Sequence, residues 1–172
     1  IYTAKYDCSY EELQQSVTEI VKAVQNMSKR NVGALIVIAT DDLPMHIIES
    51  GTRLDAYVSC QLLESIFNTK APLHDGAVYI RGDKIIAAGC FLPLTQKIDV
   101  DKDIGTRHRA AIGVTEEYDH LAIIVSEETG IISVARGGEI ERYYDSEMLT
   151  DVLEQNCGLR ATLSTSGKRR KK

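Results

Sequence analysis

The sequence predicts a single α/β domain in which a mixed central β-sheet is flanked by helices. Apolar residues recur at helical spacing in some segments and run unbroken in others, so both element types are present. The unbroken runs read as strands buried on two faces, which requires helices above and below the sheet. With 172 residues, 44% of them hydrophobic, the chain fits one domain with short appendages.

After a lead-in over residues 1–9, residues 10–30 form a helix by period. Leu13, Val17, Ile20, Val24 and Met27 fall on one stripe, and Val21 widens it. Asn31 precedes a buried strand over 33–39, and 40–44 is a polar loop. A second helix spans 58–67 with Leu62, Leu63 and Ile66 turned inward. Strands over 77–80 and 84–88 flank Arg81-Gly82-Asp83, a hairpin signal. Thr106 is placed as the N-cap of a helix whose apolar body is Ala110-Ala111-Ile112-Gly113-Val114. Residues 121–125 form a further buried strand, and those over 130–135 and 139–142 flank Gly137-Gly138 as a second hairpin. A closing helix over 146–156 is capped by Ser146 and stopped near Gly158. The ordered domain thus spans 10–158. Residues 159–172, ending Lys168-Arg169-Arg170-Lys171-Lys172, form a basic tail too polar to order itself.

A net charge of −5 provides no global field for nucleic acid or an anionic membrane. The four cysteines, Cys8, Cys60, Cys90 and Cys157, are widely separated and form no C-x-x-C pair. They read as reduced thiols rather than a disulfide framework or a zinc site. No apolar run approaches the roughly 18 residues of a membrane span. The chain begins at Ile1 rather than methionine, so a preceding segment, including any anchor, is expected upstream.

Four segments could carry chemistry. Gly105-Thr106-Arg107-His108-Arg109 puts basic side chains at a helix start, where partial positive charge ordinarily attracts carboxylates. An anion on top, phosphate above all, would justify them; a solvated patch or pairing with nearby acids is the simpler reading. Pro72-Leu73-His74-Asp75-Gly76-Ala77 enters a buried strand. His74 and Asp75 offer a nitrogen and a carboxylate that could organise a triphosphate with its divalent ion, and Gly76 lets a ligand approach the backbone. An ordinary Asp-Gly turn explains the same residues. Ser126-Glu127-Glu128-Thr129-Gly130 follows a buried strand. Its hydroxyls suit phosphate or ribose and its acids suit a metal or a base edge, unless it is simply a polar tip. Phe91-Leu92-Pro93-Leu94 is an apolar turn, either core or a surface for a purine ring. Each falls beside a strand end, and together they have the parts to hold a metal-bound nucleoside triphosphate. No Walker-type Gly-rich loop occurs.

Asp75-Gly76-Ala77 together with Arg107-His108-Arg109 resembles the paired signature of the diadenylate cyclase family, over roughly residues 10–156. The resemblance is greatest to the membrane-anchored housekeeping type. It implies the diadenylate cyclase fold and condensation of two ATP into cyclic di-AMP and two pyrophosphates, with Mg²⁺ or Mn²⁺. Each 3′-hydroxyl would attack the other ATP's α-phosphate across a face-to-face homodimer. It further implies a cytoplasmic catalytic domain on an anchored protein, protein regulators at the membrane, and no nucleic-acid partner. By resemblance Asp75, Arg107, His108 and Arg109 are catalytic, and His74 and Asp75 bind metal. Gly76, Ala77, Phe91, Leu92, Tyr57, Gly105, Thr106, Ser126 and Glu127 would surround the nucleotide. A non-catalytic nucleotide-binding module of the same fold is the alternative.

Overall fold

In the computed structural model, which describes residues 5–40, 42–97 and 104–160, helix α1 (Tyr10–Lys29) starts at a reciprocal cap. Ser9 Oγ accepts from the Glu12 N–H at 3.1 Å, and Glu12 Oε1 accepts from the Ser9 N–H at 3.3 Å. The stripe of Leu13, Val17, Ile20, Val24 and Met27 is buried, as its spacing predicts. It packs on a seven-stranded sheet formed by β1 (Ala34–Ala39), β2 (Thr52–Tyr57), β3 (Ala77–Arg81), β4 (Lys84–Cys90), β5 (His120–Val125), β6 (Ile132–Arg136) and β7 (Glu139–Arg142), in the order β2-β4-β3-β1-β5-β6-β7. Only β1 and β3 run parallel; every other pairing is antiparallel, so the sheet is mixed.

Strand β1 is buried along its whole length and its side chains alternate between two cores. Ala34, Ile36 and Ile38 join α1, α3 (Cys60–Ile66) and α5 (Ser146–Asn156) on one face. Leu35, Val37 and Ala39 meet α2 (Met45–Ser50) and α4 (Thr106–Glu117) on the other. Both hairpins have two-residue turns: Arg81 pairs with Lys84, and Arg136 with Glu139. Gly137 and Gly138, at φ 56° and 79°, supply the left-handed backbone that such a turn requires.

Several boundaries differ from the sequence reading. Helix α2 and strand β2 fall in a stretch assigned no structure; β2 is an edge strand, bulged at Asp55 (φ 49°), whose alternating Leu54 and Ala56 are only half-buried. Helix α3 starts at Cys60 behind an Ser59 cap, whose hydroxyl accepts from the Leu62 N–H. Thr106 is not an N-cap: Gly105 holds that position, and Thr106 is the first helical residue. Asp145, not Ser146, caps α5, accepting from the Met148 N–H at 2.8 Å. Within the expected lead-in, Tyr6 is buried; within the expected tail, Leu159 packs on the core and Arg160 pairs with Asp151 and Glu154. The basic run over 168–172 lies outside the described residues. Cys60, Cys90 and Cys157 are buried free thiols, and Cys8 is a half-buried one.

Candidate active site

The parallel pair β1 and β3 begins at the same end of the sheet where β4 and β5 finish. A cavity of about 700 Å³ opens there, within the usual range for a small-molecule site. Leu35, Cys90, Ala110 and Val125 contribute to its apolar lining. Ligands in open parallel sheets bind beyond the carboxyl ends of the strands. Here that holds for β4 and β5 but not for the one parallel pair, which presents its amino ends.

One wall is the turn before β3. Gly76 sits at φ +103°, and a methyl there would come within 2.8 Å of the Cys90 carbonyl oxygen and of Gly89 C. Only glycine lets this turn lie against the end of β4. Beside it, His74 Nδ1 lies 2.7 Å from the Ala71 carbonyl oxygen. A carbonyl can only accept, so Nδ1 carries the hydrogen, and in the neutral ring that tautomer leaves the lone pair on Nε2. That is the arrangement of a histidine prepared to ligate a cation. The adjacent Asp75 supplies a hard carboxylate, and the pair fits a divalent ion. Among the described residues no group of three or more His, Cys, Asp and Glu is arranged to hold a metal. The protein would thus supply two donors, with phosphate oxygens and water completing the shell, as Mg²⁺ commonly requires.

The second wall is the chain leaving β4, with Leu92, Leu94 and Phe91, the last 67% exposed. The third is the first turn of α4. Its cap, Gly105, makes no side-chain hydrogen bond to the helix, so no capping group of its own competes for the first-turn N–H donors. Arg107 reaches from this turn to the fourth wall, placing Nη1 3.6 Å from Glu127 Oε2. In that wall Ser126 Oγ accepts from the N–H groups of Glu128 and Thr129, leaving its own O–H available as a donor. The loop is tied to the end of α1 by Ser28 Oγ donating to the Gly130 carbonyl at 2.6 Å and by Asn31 Nδ2 donating to the Glu128 carbonyl.

The structure brings His74, Asp75, Gly76, Phe91, Leu92, Gly105, Thr106, Arg107, His108, Ser126 and Glu127 to the one cavity. Three residues expected with them stand elsewhere. Ala77 is fully buried beneath the wall, in the core of the α2 and α4 face. Arg109, two residues on from Arg107, lies about 200° around the helix from it, outside the lining. Tyr57 pairs with Lys84 at the opposite end of β4 from Cys90 and stands 67% exposed over a separate cleft with Glu11, Glu12 and Asp83. Leu94 and Glu128 line the cavity too, from segments offered as chemistry-bearing but not among the named residues; Leu35, Cys90, Ala110 and Val125 line it without having been assigned to it. The strand ends next to the motif loops were the available signal for most of them. Burial pushes the Cys90 thiol up to about 11, so it stays protonated at neutral pH and contributes only shape.

His108 has its pKa pushed below the ordinary 6.5, first by burial and then by the positive charges of Arg142 and Arg107. It therefore meets a ligand as a neutral imidazole at pH 7. Because the folded form takes up a proton less readily than the unfolded chain, folding stability falls as pH drops below 6.5 and levels once the folded-state pKa is passed. The thermal midpoint of His108→Gln is expected to decline less between pH 7.5 and 5 than that of the unaltered protein. Parallel declines would show that another group dominates.

A seven-stranded mixed sheet with a cation and a carboxylate facing each other across a nucleotide-sized cavity defines the class: an α/β nucleotide-binding domain. The family model described as DAC, the DisA bacterial checkpoint controller nucleotide-binding domain, matches residues 21–140. The chain belongs to this diadenylate cyclase family. It is 48% identical over 145 residues to the cyclic di-AMP synthase CdaA of Bacillus subtilis, covering 84% of this chain and 53% of that protein. It is 45% identical over 150 residues to a diadenylate cyclase of Listeria monocytogenes, covering 87% and 55%. The chain thus spans about half the length of these curated relatives. Identity to the DNA integrity scanning protein DisA of Clostridioides difficile is lower, 32% over 124 residues, covering 71% of this chain and 33% of that protein. A crystal structure of a double cysteine variant of DacA from Staphylococcus aureus superposes with a TM-score of 0.80 at 44% identity, covering 86% of this chain and 96% of that one. A Bacillus cereus protein described as a hypothetical membrane spanning protein superposes at 0.73 with 44% identity, covering 76% and 64%. Among the described residues of this chain, no helix is long and apolar enough to cross a membrane.

Proposed function

We propose that this domain is a diadenylate cyclase that condenses two ATP molecules into cyclic di-AMP and two pyrophosphates. The observation that carries the reading is the apposition, across one cavity, of the His74-Asp75-Gly76 turn and the first turn of α4 with Arg107. The relatives named as cyclases support it. The α4 N–H donors and the Arg107 guanidinium face the triphosphate and neutralise charge as it builds on the phosphate being transferred. Arg107 rather than Arg109 makes this contact, since only Arg107 borders the cavity. Ser126 donates to a phosphate or ribose oxygen, while Leu92 and Phe91 offer apolar surface to the base. His74 and Asp75 would hold Mg²⁺ or Mn²⁺, which when bound offsets triphosphate charge. Asp75 takes the proton of the attacking 3′-hydroxyl as the new oxygen–phosphorus bond forms and the bond to pyrophosphate breaks.

Cyclic di-AMP has two equivalent 3′–5′ linkages, so a two-fold pair of subunits, each presenting one ATP, makes it by one chemistry used twice. On this reading the full-length protein is anchored in the membrane by a segment outside this sequence, with the cyclase domain in the cytoplasm. Incubation with ATP and Mg²⁺ or Mn²⁺ should yield cyclic di-AMP, identified by mass, and pyrophosphate. Activity per molecule should rise with protein concentration. Nucleotide binding without turnover would make the domain a non-catalytic module. A rate independent of concentration, down to the monomer, would remove the face-to-face pair.

A further inference from the structure

The geometry points to Gly33 as a positioning residue that seats the Arg107 guanidinium. Gly33 precedes β1 at the cavity end of the sheet. Ala34 pairs with Val125, which brings Gly33 beside the loop that starts at Ser126. Arg107 crosses this backbone on its way to Glu127. A methyl group on Gly33 would lie 2.5 Å from Arg107 Nη1, 2.7 Å from Cζ and 3.2 Å from Nη2. Its three nearest neighbours are thus atoms of one guanidinium.

The other crowded glycines have a different cause. At Gly51, Gly76, Gly113 and Gly130 the nearest obstacle is main chain; Gly76 and Gly130 also hold positive φ, as does Gly138, whose nearest obstacle is the Glu116 side chain at 2.8 Å. Those positions need glycine so that the chain can fold. Gly33 has no positive φ, and its obstacle is the free end of a flexible side chain. Alanine would leave the backbone in place and push the cation aside. The 126–130 loop, whose Glu127 the guanidinium meets at 3.6 Å, is fixed to the end of α1 by Ser28 and Asn31. With the loop and the Gly33 backbone both fixed, the guanidinium is the part that would have to shift. Misplacing a charge-stabilising group by about 1 Å can cost catalysis heavily without costing stability.

The inference rests on the proposed phosphate role of Arg107, and a double-mutant cycle keeps the two apart. The probe is 3′-deoxy-ATP with Mg²⁺, which lacks the attacking hydroxyl and reports binding alone; turnover of ATP is measured alongside. Gly33→Ala should keep the thermal midpoint of the unaltered protein, weaken 3′-deoxy-ATP by on the order of tenfold and lower turnover at least as much. Added to Arg107→Ala, it should change neither further. Equal losses in both backgrounds, or none in either, would overturn the inference, as would a Gly33→Ala protein with a collapsed thermal midpoint, which would show that the backbone itself needs glycine. If Arg107→Ala alone binds the probe as tightly as the unaltered protein, the phosphate role falls, and the inference with it. If Arg107→Ala binds weakly while Gly33→Ala binds normally, only the inference falls.

Discussion

Asp75→Asn should lower the rate of cyclic di-AMP formation by on the order of 10²-fold or more while the protein still binds 3′-deoxy-ATP. Asparagine matches aspartate in size and leaves the turn intact, because the constraint there lies in Gly76, whose φ of +103° and contact with β4 are untouched. What the amide loses is the anionic oxygen, and with it both proton acceptance and a hard ligand. Mn²⁺ titration separates the two losses. If the apparent affinity for Mn²⁺ is unchanged while turnover collapses, Asp75 acts on the hydroxyl proton. If excess Mn²⁺ restores much of the rate, its weight lies in holding the cation. An unaltered rate would take Asp75 out of the chemistry.

The second large effect is on stability. A methyl group on Gly113 would drive into the Pro93 carbonyl oxygen and lie 2.8 Å from Pro93 C and 3.0 Å from Leu94 C. All three are main-chain atoms of the segment that crosses α4 and donates the Thr95 N–H to the Arg109 carbonyl. Neither partner can turn away as a side chain would. Alanine is intrinsically better than glycine inside a helix by up to about 1 kcal/mol, yet overpacking should reverse the sign. Gly113→Ala is expected to destabilise the fold by about 2–3 kcal/mol net, lowering the thermal midpoint by roughly 5–10 °C. Nucleotide affinity should fall too, since Leu92 and Leu94 on the displaced segment line the cavity. Gly105→Ala is the control: nothing lies within 4 Å of a methyl there, so it should carry only the modest cost of alanine at an N-cap and its midpoint should fall by much less. A Gly113→Ala protein as stable as this control would show that the crossing segment yields freely.

What the sequence made legible follows physical signal strength. The α1 stripe, the unbroken runs of β1 and β5 and the glycine turns each carry a local pattern that burial or backbone geometry enforces. Edge strand β2 carries only a faint one, because Leu54 and Ala56 alternate with exposed neighbours but are themselves only half-buried, and most of its side chains face solvent. The site loops were visible because polar clusters next to apolar runs mark strand ends. Their division of labour was less visible. Reading Arg107-His108-Arg109 as a unit ignores that neighbours on a helix face different ways, so Arg109 was grouped with a cavity it does not border. Tyr57 was placed by the family resemblance alone, while its pairing with Lys84 puts it at the other end of β4. Gly33 left no mark at all in the sequence, since its importance lies in a side chain 74 positions away that comes to rest on it.

The cavity is assembled from the approaches to β1 and β3, the exits of β4 and β5, and the head of α4. Its pieces are contributed from chain positions 35 through 128 and meet only through sheet pairings that are remote along the polypeptide. No contiguous fragment ending before β5 can own the whole binding surface. Competence for nucleotide therefore arrives late, when the chain has closed its long-range topology. Any ligand held there becomes a reporter of completed folding and a thermodynamic clamp on the entire molecule.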